Sequence, residues 1–132
     1  MRILIVDGQG GGVGRMLLEE LLAQKKDLDI IVVGSNSTAT ANMLKGFNVS
    51  GATGENAVVF NSNKVDIIMG PIGIVMPNAM LGEITPKMAE AISSSPARII
   101  LIPMNRCHAV IVGIQDKKRK EYIKEAIAEA LA

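Results

Sequence analysis

An α/β domain with a mostly parallel sheet is the fold class that this chain of 132 residues predicts, on three observations. Short apolar runs recur at Arg2–Val6, Ile30–Val33, Val65–Met69 and Ile99–Ile102. Helical patterns fill the intervals between them, and that alternation builds parallel strands joined by crossover helices. The first run also leads straight into Gly8, Gly10, Gly11, Gly12 and Gly14. A glycine-rich turn between a parallel strand and a helix lets backbone N–H groups approach an anion closely, and the helix N-terminus adds its positive dipole end. Together these features predict a single nucleotide-binding, Rossmann-like three-layer domain over residues 1–132. The length leaves no room for a separate substrate domain.

The elements follow in order. From Val13 to Gln24 the apolar Val13, Leu17, Leu18, Leu21 and Leu22 keep helical spacing, with Glu19, Glu20 and Gln24 on the other face. This is the first crossover helix. Ser37 or Thr38 can cap a short helix that runs to Lys45 and stops at Gly46. Thr53-Gly54-Glu55 precedes a helical turn or two over Asn56–Asn61. Thr85 followed by Pro86 is an N-cap with a first-turn proline and opens a helix to about Ser94. Asp116 can cap a helix over Lys117–Leu131, where Tyr122, Ile123, Ala126, Ile127, Ala130 and Leu131 form an apolar stripe. Between Pro103 and that helix, Ala109–Ile114 reads either as the return of a hairpin or as a fifth parallel strand.

Composition removes several function classes. The formal charge is +1 with both signs spread along the chain, so neither nucleic acid nor a membrane surface is favoured as a partner. Aromatic residues are 2% of the chain, which leaves no platform for base stacking. The longest apolar stretch, Ile67–Leu81, is broken by Gly70, Pro71, Gly73 and Pro77 and is too short to span a membrane. A lone cysteine, Cys107, and a strand beginning directly after Met1 fit a soluble protein of a reducing cytoplasm. With 48% hydrophobic residues, so small a chain is expected to bury some of them between subunits of a homo-oligomer.

The candidate ligand is a small-molecule nucleotide. The glycine loop fits G-x-x-x-G-x-G through Gly8, Gly12 and Gly14, and equally G-x-x-G-x-x-G through Gly8, Gly11 and Gly14. It departs from G-x-G-x-x-G, because Val13 stands where the third glycine would fall. No Gly-Lys-Ser/Thr follows, which excludes a Walker A loop. The loop residues proposed to hold a cofactor are Gly8, Gln9, Gly10, Gly11, Gly12, Val13 and Gly14. Arg15, in the first helical turn, either reaches a pyrophosphate or points to solvent.

After the second strand come Gly34-Ser35-Asn36-Ser37-Thr38, where an NAD-binding fold places an acidic residue against the ribose 2′-hydroxyl. With no acid there, Ser35, Asn36, Ser37 and Thr38 can donate to a 2′-phosphate, and NADP is the expected cofactor. The bland alternative is a turn and a helix cap. Gly70, Pro71, Ile72 and Gly73 follow the third run and face the same crevice, either for a cofactor ring or as a tight buried turn.

Catalytic candidates are few. Asn105-Arg106-Cys107-His108 closes the last predicted parallel strand. Adjacent cysteine and histidine in an extended segment point opposite ways, so they do not make a thiolate–imidazole pair. No metal is expected, since Asp7, Glu55 or Glu83 would have to complete a ligand set and their spacing gives no support. Tyr122 lacks the Tyr-x-x-x-Lys pattern, so the glycine spacing shared with short-chain dehydrogenases does not extend to their chemistry. Glu55, Asn105, Arg106 and His108 remain as candidates, while Lys117–Lys120 reads as a solvated helix start.

The segments Ile3–Gly14, Gly34–Ser37, Gly51–Ala57, Gly70–Ile74, Leu81–Thr85 and Pro103–Cys107, taken as a set, resemble a small bacterial family, domain of unknown function 3842. The resemblance spans nearly the whole chain. It implies a compact Rossmann-like domain and brings no activity with it. Three readings therefore stand: a binding or sensing module for an NADP-like dinucleotide, a small enzyme acting on a nucleotide or phosphorylated metabolite, and a structural subunit without ligand.

Overall fold

The computed structural model describes residues 1–104 and 109–132. Among them five strands form one sheet, all parallel, in the order β3-β2-β1-β4-β5. The strands are β1 (Arg2–Asp7), β2 (Asp29–Gly34), β3 (Ser50–Thr53), β4 (Ile67–Pro71) and β5 (Arg98–Ile102). Helices α1 (Gly12–Gln24), α2 (Ser37–Leu44), α3 (Glu55–Ser62), α4 (Pro86–Ser93) and α5 (Arg119–Leu131) connect or follow them. This is the strand order of a doubly wound α/β fold, with the order reversing between β1 and β4.

Side-chain alternation in the strands builds the two cores. Ile3 and Ile5 of β1 face α1, α2 and α5, where they meet Leu17, Leu21, Met43 and Ile127. Leu4 and Val6 point the other way, toward α3 and α4, and pack with Val58, Ile74, Met88 and Ile92. All four of these β1 residues are fully buried, as a parallel strand covered on both faces requires.

Side-chain caps set the start of two helices. Asn36, not Ser37 or Thr38, caps α2, its Oδ1 accepting from the Ala39 N–H at 2.8 Å. Thr85 caps α4 with Pro86 behind it, as the sequence predicts, its Oγ1 accepting from the Met88 N–H at 3.1 Å. Helix α5 begins at Arg119 without a side-chain cap, so Asp116 does not start it. Ala109–Ile114 is neither a hairpin strand nor a parallel strand. The edge strand that completes the sheet is instead Ser50–Thr53, paired with β2.

Candidate functional site

The carboxyl ends of β1 and β4 diverge at the point where the strand order reverses, and a cleft of about 420 Å³ opens there. The loop after β1 forms its floor. Pro71 and Gly73 line it as well, together with Met80, Met104 and Arg119.

Asp7, the last residue of β1, sets the shape of the loop. Its carboxylate is almost fully buried and accepts from the N–H groups of Gly8 and Gly14, each at 2.7 Å. Burial pushes its pKa up, while those amides and the nearby Arg119 guanidinium pull it back, and the net direction is upward. Gly11 takes a left-handed conformation, φ 72°, at the N-cap of α1, where a Cβ would also press on the Ala39 carbonyl. Gly14 lies so close to Met43 that a Cβ there would have to displace that buried side chain.

Gly10 and Gly12 differ from these. Neither has positive φ, and a Cβ built on either meets nothing within 4 Å. Their N–H groups have no acceptor among the described residues. Both line the cleft.

Glu83 approaches the loop from the other side. It comes from the turn after the short 3-10 helix Ile72–Val75, in which Asn78, Met80 and Leu81 all have positive φ. Its Oε1 accepts from Ser35 Oγ at 2.6 Å, from Asn36 Nδ2 at 2.7 Å and from the Gln9 N–H at 2.9 Å. Partial burial pushes its pKa up, but the hydrogen bonds from Ser35, Gln9 and Asn36 outweigh that and hold it below the ordinary glutamate value.

The structure brings only part of the sequence-selected set to the cleft. Gly8, Gln9, Gly10, Gly11, Gly12, Val13, Pro71 and Gly73 line it. Arg15 does not reach it: the guanidinium donates to the carbonyls of Asn42 at 2.7 Å and Lys45 at 2.8 Å, pairs with Glu19, and so closes the end of α2. Gly70 is a packing glycine, because a Cβ there would overlap the Val6 carbonyl of the neighbouring strand. Gly14, Ser35 and Asn36 stand beside the cleft and not on its lining, Ile72 sits in the 3-10 helix, and Ser37 and Thr38 in the exposed first turn of α2. Glu55 is spent elsewhere, accepting from Thr85 Oγ1 at 2.6 Å across the α3–α4 contact. Asn105, Arg106 and His108 lie outside the described residues.

The ground for expecting NADP also changes. Its premise is that no acid stands at the end of β2, yet Glu83 brings a carboxylate there through the fold. The donors of Ser35 and Asn36 are already engaged with it. Sequence reasoning passed over Arg119 as well, because in the run Lys117–Lys120 it looks like its neighbours. Asp7 carried a local signal, as the acid at the junction of strand and glycines.

No curated protein matches the chain. Among solved structures it is similar to a dodecameric FMN-dependent UbiX-like decarboxylase from Escherichia coli O157:H7, at 15% sequence identity and a TM-score of 0.46, over 98% of this chain and 75% of that one. A likeness at that level says nothing about chemistry. Within the described residues no helix is long and apolar enough to cross a membrane. The chain belongs to the family described as a domain of unknown function, DUF3842, whose model matches residues 2–132.

Proposed function

We propose that this chain is a binding or sensing module for a nucleotide or dinucleotide, held in the cleft between the carboxyl ends of β1 and β4. A phosphate group rests on the N–H groups of Gly10 and Gly12 at the start of α1, with Arg119 as counter-charge. The adenosine side extends toward Ser35 and Asn36, and the far half toward Pro71 and Gly73.

The observation that carries this reading is the pair Gly10 and Gly12. Glycine loses more conformational freedom on folding than any other residue, so it is kept where geometry or close approach requires it. Here neither φ nor internal packing requires it, and both positions open on the cleft. Close approach of a ligand backbone or phosphate supplies the missing reason, supported by the helix dipole and the unengaged amides.

Thermal unfolding with NAD, NADP and ATP, each at one concentration, tests the proposal in the wild type and in Gly12→Val. At a hundred times its dissociation constant a ligand stabilises by about 2.7 kcal/mol, a rise of several degrees for a domain of this size. The variant is expected to unfold near the wild-type temperature when alone, since its Cβ meets no protein atom, and to lose the ligand-dependent rise. Persistence of the rise in Gly12→Val, or no rise with any of the three in the wild type, removes the site.

The module is further proposed to act as a homo-oligomer. Leu81, Val110 and Val112 are 99%, 90% and 94% exposed, which is unusual for large aliphatic side chains in a small monomer. Light scattering is expected to return a multiple of 14.0 kDa, and a mass of 14.0 kDa at micromolar protein would count against it.

A further inference from the structure

We infer that Glu83 makes the cleft selective for a nucleotide whose adenosine ribose carries free hydroxyls, and sets it against one bearing a 2′-phosphate. The inference rests on the nucleotide reading above and adds the class of ligand that the site accepts.

The argument is an inventory of donors and acceptors at the end of β2, the strand whose tip receives the ribose in doubly wound folds. Ser35 has one hydroxyl hydrogen, and it goes to Glu83 at 2.6 Å. Asn36 has two amide hydrogens, one given to the Gln9 carbonyl at 3.0 Å and the other to Glu83 at 2.7 Å. The Asn36 oxygen accepts from Ala39 in its capping role. The backbone N–H of Gln9 is also given to Glu83. No side-chain donor of this pair is left for an anion.

At Ser35, Asn36 and Glu83 what remains is acceptor capacity, and the hydroxyls of Ser37 and Thr38 lie beyond them in the exposed first turn of α2. The donors of Ser35, Asn36 and Gln9 all converge on Oε1 of Glu83, and Oε2 takes no donor among the described residues. A ribose hydroxyl can donate to a carboxylate oxygen. A phosphate cannot, because it too is anionic and offers only acceptors, and two like charges at such range disfavour each other. Arg15, the cation nearest in sequence to the loop, is committed to Asn42, Lys45 and Glu19 and cannot neutralise a 2′-phosphate. The acid that a dinucleotide fold ordinarily carries at the end of its second strand is thus supplied here from the turn that precedes α4.

Isothermal titration of the wild type and Glu83→Gln with NAD and with NADP tests this. The wild type is expected to bind NAD at least tenfold more tightly than NADP. In Glu83→Gln, which keeps an acceptor oxygen for Ser35 but removes the charge, that ratio is expected to shrink several-fold through weaker NAD and stronger NADP binding. A wild-type preference for NADP, equal affinities, or an unchanged ratio in a folded Glu83→Gln each overturn the inference while leaving the nucleotide reading in place. Binding of neither dinucleotide by the wild type overturns the inference, and the nucleotide reading falls with it when ATP does not bind either. Should the variant fail to fold, 5′-ADP against 2′,5′-ADP on the wild type gives the answer, with weaker binding of the 2′-phosphorylated compound expected and equal or stronger binding overturning the inference.

Discussion

Two carboxylates hold the glycine loop, and they behave in opposite ways. Asp7 is buried and its pKa is raised, so the native state binds a proton more readily there than the unfolded chain does. Ionising it costs the folded state. Its contribution is therefore most favourable below the ordinary aspartate value of about 3.9 and is lost as pH rises through the raised native value. Urea unfolding of the wild type and Asp7→Asn from about pH 3 to about pH 8 is expected to show the wild type losing ground to the variant across that window and a constant difference above it. A difference that grows in favour of the wild type as pH rises would mean that the amides of Gly8 and Gly14 outweigh burial. Glu83 has the reverse sign, its stabilisation being present at neutral pH and lost as pH falls through its lowered value. At this scale the sequence reads well where the reason for a residue is local. Gly8 to Gly12 fall on the cleft because a strand–glycine–helix junction is specified within a few residues. Glu83 and Arg119 arrive from 74 and more positions away, and nothing in their neighbours points to the loop. Arg15 misled for a related reason: one turn into α1 it faces α2, and the bare carbonyls of Asn42 and Lys45 capture it.

The turn between the 3-10 helix and α4 is the element on which the site depends most. Three non-glycine residues in four positions, Asn78, Met80 and Leu81, hold positive φ. Such a conformation costs roughly 1–2 kcal/mol per L-residue other than Asn or Asp. Backbone bonds from Asn78 to Ile84 and from Gly82 to Asn78 hold the turn against that cost, with Glu83 anchored on the loop at its end. Leu81 is 99% exposed within the protomer, at the edge of the cleft. At protein concentrations where light scattering shows the monomer, Leu81→Gly is expected to raise stability by about 1 kcal/mol in urea unfolding, since within one protomer it relieves the backbone and gives up almost no buried surface; where the proposed homo-oligomer forms, loss of the leucine contact is expected to offset that gain. A clear loss would show that the leucine is buried in solution, as it would be between subunits. Elements with a strong apolar period were legible: α1, β1, β2, β4, β5 and α4 lie within a few residues of their predicted bounds. Strand β3 was not, because Ser50, Gly51, Ala52 and Thr53 carry neither bulk nor alternation, and it exists through pairing with β2. Ala109–Ile114 has the composition of a strand but no place in the sheet, so propensity loses there to topology.

Across the whole molecule, topology converts a local motif into a site. The glycine loop alone is a turn. The reversal of strand order between β1 and β4 leaves space above it, and helices on both faces fix the walls. Alternating apolar runs and helices were enough to predict that frame, since parallel strands with short crossovers admit few arrangements. The sequence could not show which side chains from the second half fold back over the first. The grip of Asp7 and Glu83 on the loop has one more effect. Carboxylate oxygens stand on the amides of Gly8, Gln9 and Gly14, so the shape of the loop is held by bonds within the protein. A nucleotide bound as proposed would dock onto a finished surface, with little ordering cost in entropy. Its association is expected to show a small heat-capacity change, in contrast to the large one that accompanies folding on binding. Calorimetry at several temperatures would measure it, and such a module would report its ligand by occupancy alone.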